Sequence, residues 1–132
     1  MLNRELVEIL KSMAFSEGLV VRKSVYSDRY DLDNNTIWIK SVQYLPYVLA
    51  HELGHYLYEF FLKGKQAQKI ELSYCLNKTE YDNKRLRQVR ITTEKKAWDQ
   101  AAHILKIIDP QFNEEKFKRY STKCILTYSG IY

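Results

Sequence analysis

The segment from Pro46 to Leu62 constrains this chain more than any other, because it is apolar around most of its circumference yet carries His51-Glu52-Leu53-Gly54-His55 at its centre. Tyr47, Val48, Leu49, Leu53, Tyr56, Leu57 and Phe60 leave no polar face, so the spacing predicts a central, buried helix. Pro46 suits the first turn, where its missing N–H costs nothing, and Lys63-Gly64-Lys65 ends the segment. Two imidazoles and a carboxylate on such a helix need partners, since burying them unpaired is expensive.

A metal ion is the partner that this spacing fits. His51 and His55 are four residues apart, which places them within about 40° of one face, one turn apart. Both can then reach one tetrahedral Zn²⁺ at about 2.0–2.1 Å. Glu52 projects beside the first ligand and can take a proton from a water that the metal has acidified. This is the HExxH pattern of metallopeptidases, and chance rarely produces it in so short a chain.

A catalytic zinc needs a third protein ligand and an open fourth position. Downstream candidates are His103 and the carboxylates between Glu71 and Glu115. Glu94 is the expected third ligand. It opens a helix in which Ala97 and Ala101 continue its face as a smooth stripe, allowing close approach to the metal helix. The plain alternative is a solvated first-turn glutamate favoured by the helix dipole. His103 lies nine residues on, about 180° round the same helix, so it faces away if Glu94 faces the metal.

The remaining pattern predicts an α+β fold in one domain spanning residues 1–132. Leu2, Leu6, Ile9, Leu10 and Met13 predict an amphipathic helix over 2–14, closed near Gly18. A β-rich stretch from Leu19 through Tyr30, turn residues Asp31 to Asn35, and a strand Thr36 to Lys40 predict a small antiparallel sheet with an exposed edge. A peptide substrate is expected to pair with that edge near Thr36–Lys40. A tyrosine should stabilise the oxyanion, with Tyr26 and Tyr30 among the candidates. Residues 65–82 read as an irregular surface excursion. A helix is expected over about 84–108, or at least Glu94 to Ile108, stopped by Asp109-Pro110, then a short helical piece over Asn113–Tyr120 and an extended tail from Cys124 to Tyr128.

Cys75 and Cys124 have neither CxxC spacing nor a disulfide framework. No apolar run approaches the length of a bilayer span, and charged residues interrupt the N-terminal segment. A soluble, cytoplasmic protein without membrane partners is expected. The net charge of +5 would suit nucleic acid, but the basic residues are scattered, with local density only at 63–69 and 84–96.

On these residues the chain resembles the ImmA/IrrE-type metallopeptidases, gluzincin-like proteins of phages and integrative elements. The matching features are the leading helix, the strand Asn35-Thr36-Ile37-Trp38-Ile39, the run Ala50-His51-Glu52-Leu53-Gly54-His55, and a Glu-x-x-Ala helix from Glu94. They cover roughly residues 1–108. The resemblance implies a zincin-like domain in which the HExxH helix packs on a second helix carrying the third ligand. It implies His51, His55 and Glu94 as ligands of one Zn²⁺ per chain and Glu52 as general acid/base. It also implies a protein substrate, often a transcriptional repressor of the same mobile element. Thermolysin-like gluzincins carry a supporting Asp four residues after the ligand Glu, where this chain has Trp98. Two other readings stay open: a catalytically silent zinc-containing binding module, and a nucleic-acid-associated metalloprotease of the SprT kind.

Overall fold

A computed structural model describes residues 1–41, 43–58 and 80–129, with backbone alone for 80–87, 89, 128 and 129. Helix α1 (Asn3–Ser16) buries Leu6, Val7, Leu10 and Ala14 on one stripe. Gly18 ends it at φ +81°, where the Leu19 N–H reaches back to the Ala14 carbonyl. That left-handed residue turns the chain directly into strand β1 (Val20–Lys23). Strands β2 (Arg29–Asp31) and β3 (Thr36–Ile39) follow, then α2 (Leu45–Leu57), α3 (Glu80–Ile108) and α4 (Glu114–Ser129). Four helices and a three-stranded sheet make an α+β fold among the described residues. No described helix is long and apolar enough to cross a membrane.

The sheet corrects the expected antiparallel arrangement. Its order is β1-β3-β2, with β1 parallel to β3 and only β2 antiparallel. The β2–β3 hairpin closes on the expected turn, where the Asp31 carboxylate accepts from the Asn34 amide and Asn35 takes a positive φ. Strand pairing does not continue through Val25 and Tyr26, which are solvent-exposed. Instead the chain from Ser24 to Asp28 wraps the end of β3. The Ser24 N–H donates to the Ile39 carbonyl, and Asp28 accepts from the Lys40 and Ser41 amides at 2.6 and 2.8 Å. β3 is therefore the central strand, bonded on both sides, and cannot take a substrate strand. The edges are β1 and β2.

The tail is also corrected. Residues Cys124 to Tyr128 belong to α4, not to an extended segment. Asn113 caps that helix by accepting from the Lys116 N–H, Glu114 and Glu115 occupy its first turn, and Phe117 anchors it on the core. Packing at 117, 121 and 124 keeps the helical period going and overrides the β preference of the tail residues. Helix α3 begins at Glu80, earlier than expected, while the end of the HExxH segment and the excursion over 65–79 lie outside the described residues.

One apolar cluster joins the elements: Leu6 and Leu10 of α1, Ile37 of β3, Leu49 and Leu53 of α2, and Ala101 and Leu105 of α3. The closest helix contact is between α2 and α3. A Cβ on Gly54 would collide with the Ala97 carbonyl and crowd the Ala101 amide, so glycine is what lets the backbones touch. Gly54→Ala should therefore lower stability by about 1–3 kcal/mol through overpacking, read as a lower urea midpoint. An unchanged midpoint would mean that the two helices do not meet there.

Candidate metal centre

The close approach at Gly54 places the first turn of the Ala97 stripe directly over the histidines. His51 Nε2 lies 2.8 Å from Glu94 Oε2, and His55 Nε2 lies 3.0 Å from Glu94 Oε1. The carboxylate thus bridges both imidazoles from a separate helix, 43 residues away in sequence. Glu52 Oε1 sits 3.3 Å from the other nitrogen of His51, Nδ1. His51, Glu52 and Glu94 are 8%, 4% and 4% exposed, so none can rely on water for its hydrogen bonds.

These groups could hold a metal ion. Ligand atoms of His51, Glu52 and His55 lie within 4.8 Å of one another. Donors sharing a tetrahedral ion with bonds of about 2.0–2.1 Å stand about 3.3 Å apart. The two Nε2–carboxylate distances are a little shorter than that, so the donor set is gathered to within a small adjustment. Two neutral imidazoles and a carboxylate are also ligands of the right chemistry for zinc.

Trp98 stacks on the His51 ring at 4.0 Å and 11°. The ring is thus fixed twice, by the Glu52 carboxylate at Nδ1 and by the aromatic face of Trp98. His103 is exposed on the far side of α3, as its helical phase requires.

His51, Glu52 and Glu94 line a cleft of about 600 Å³ whose other lining includes Asp28, Tyr44, Trp98, Arg119, Tyr120 and Lys123. Neither tyrosine named from the sequence lines it. Tyr26 is 82% exposed, and Tyr30 packs edge-on against Tyr56. Tyr44 and Tyr120 line the cleft instead, their rings 4.6 Å apart. Burial, reinforced by the neighbouring Cys124, pushes the Tyr120 hydroxyl well up, so it stays a protonated donor at neutral pH. Sequence alone predicts helix only over Asn113–Tyr120 and an extended tail from Cys124, so the full length of this wall is not seen there. The helical spacing of Lys116, Tyr120 and Lys123 was the available clue.

Compared with known proteins, the chain matches no family model, and no curated protein or solved structure matches it significantly. The site therefore rests on its own geometry.

Electrostatics bind the cluster together even without an ion. Burial opposes charge on Glu94, but hydrogen bonds from His51 and His55 outweigh it and hold the carboxyl well below the usual range. Burial likewise opposes charge on His51, and the Glu52 and Glu94 contacts outweigh it and raise its pKa. The Glu94 contribution to stability is present above its unfolded value of 4.5 and is lost as pH falls through the folded value. The His51 contribution is complete below 6.5 and is lost as pH rises through its raised value. In chelator, the urea midpoint should therefore peak between about pH 4.5 and 6.5 and decline on the alkaline side. A midpoint that climbs steadily through neutrality would contradict the ion pairs.

Proposed function

We propose that the chain is a zinc-dependent metallopeptidase that hydrolyses peptide bonds of a protein substrate. The observation that carries this reading is the convergence of His51 and His55 Nε2 on the Glu94 carboxylate, with His51, Glu52 and Glu94 lining a cleft. His51, His55 and Glu94 would hold one Zn²⁺. When bound, the ion would polarise the scissile carbonyl and acidify a water.

The chain's own groups do the rest. Glu52 rests one oxygen against His51 Nδ1 and keeps the other for the attacking water. It takes the proton and returns it to the leaving amine. Trp98 holds the His51 ring in plane, and Gly54 keeps α3 close enough for Glu94 to reach. Tyr120, a neutral donor at the cleft wall, is placed to stabilise the developing oxyanion. The resemblance to ImmA/IrrE-type proteins adds a regulator, such as a repressor, as the class of protein cut.

Metal content measured by mass spectrometry should show about one zinc per chain, lost in His51→Ala and in Glu94→Ala. Zinc retained in Glu94→Ala would remove Glu94 from the ligand set. Glu52→Gln should keep its zinc and lose about 10²–10⁴-fold in peptide hydrolysis. Unchanged hydrolysis in that variant would remove Glu52 as the base.

A further inference from the structure

The cleft's second wall is a charged face of α4. Lys116, Arg119, Tyr120, Lys123 and Thr127 all line it, and their spacing of three, four, seven and eleven residues puts them on one stripe. The packed side of the same helix is distinct. Phe117 and Ser121 are buried there, and the Phe117 ring meets Trp98 and Tyr47 edge-on. The core therefore does not require cations on the cleft side, yet three are present.

Among the described residues, Lys116, Arg119 and Lys123 form no ion pair, whereas Glu114 of the same helix is paired with Lys106. Lys116 lies over the Tyr44 ring at 5.6 Å, a contact that leaves its charge facing the cleft rim. Every acidic group lining the cleft is already engaged. Glu52 and Glu94 hold the histidines, and Asp28 accepts from two backbone amides and from the Ser41 hydroxyl. None of these carboxylates pairs with the three cations, so a neutral substrate would leave the wall without an ion-pair partner among the described residues.

We propose that the wall selects by charge: the peptide held in the cleft carries Asp or Glu side chains seated against Lys116, Arg119 and Lys123. From Lys116 to Lys123 the helix rises about 10.5 Å, the length of about three residues of an extended chain. The acidic side chains therefore fall within about three residues of one another. A nucleic-acid footprint would instead be a stripe of cations on open surface. Here the exposed cations line the wall of a cleft of about 600 Å³, which has the size of a pocket for the side chains of one strand. What happens to the bound chain rests on the peptidase reading; the binding itself does not.

The test uses zinc-loaded Glu52→Gln protein and fluorescein-labelled short peptide pools, enriched in Asp and Glu, in Asn and Gln, or in Lys. Fluorescence anisotropy should show the acidic pool binding about fivefold more tightly than the neutral pool, with the gap closing at high salt. Arg119→Glu and Lys123→Glu, both at exposed positions, should abolish that preference. Lys11→Glu, with the same charge change on α1 and outside the cleft, should keep it. Equal binding of all pools overturns the proposal. Cleavage of the pools by wild type separates the two readings. Pools cut without charge preference sink this inference and leave the peptidase standing. An acidic pool that is held through the wall and never cut supports it and sinks the peptidase. A single-stranded oligonucleotide that displaces the acidic pool at lower concentration, with the same loss in both reversals, overturns it by assigning the wall to nucleic acid.

Discussion

Everything at the candidate centre depends on how closely two helices can lie. Gly54 on α2 faces the backbone of α3 at Ala97 and Ala101, and both alanines are fully buried. A glutamate side chain is short. It can contact two histidines on a neighbouring helix only if the helix axes are nearer than ordinary side chains permit. The glycine lies inside the HExxH run itself, so the residue that sets the spacing sits between the two residues that need it. The stripe on α3 begins at Glu94 and continues into the contact. Site geometry and core packing are thus the same contact seen from two ends.

Burial gives that contact its chemical consequence. Glu94 and His51 are almost wholly withdrawn from water, which makes each unstable alone and strongly committed to its partner. The carboxylate is held ionised by two imidazoles, and His51 is bracketed by carboxylates at both ring nitrogens while Trp98 covers its face. Such a cluster is prearranged: a divalent cation would replace protons already drawn to the same atoms.

The histidines, Glu52 and the alanine stripe of α3 were legible because helical periodicity is local, and a stripe at three and four residues leaves little freedom. The α+β class followed from the same reasoning. The parallel partnership of β1 and β3 was not legible. Val25 and Tyr26 have strand-like side chains, and nothing local says that the chain bends there to wrap the end of β3. That bend is fixed by Asp28 reaching the amides of Lys40 and Ser41, a contact across 12 and 13 residues. The end of α4 was lost for the opposite reason. Ile125, Leu126 and Thr127 favour strand by composition, and packing of Phe117, Tyr120, Cys124 and Ile125 on the core, a tertiary contact, holds the segment helical.

Helix α2 starts in an unusual way. Tyr44 precedes it in the left-handed region at φ 60°, and no side chain caps the first turn. The Tyr44 ring is gripped by Tyr120 of α4 at 4.6 Å, while Lys116 lies over it. The point at which the histidine-bearing helix begins is thus set by side chains from the opposite wall of the cleft. A lineage of such proteins could not freely exchange that wall, because its aromatic anchor also props the frame that aims the histidines. The cleft wall and the histidine frame would have to drift together, one tyrosine at a time.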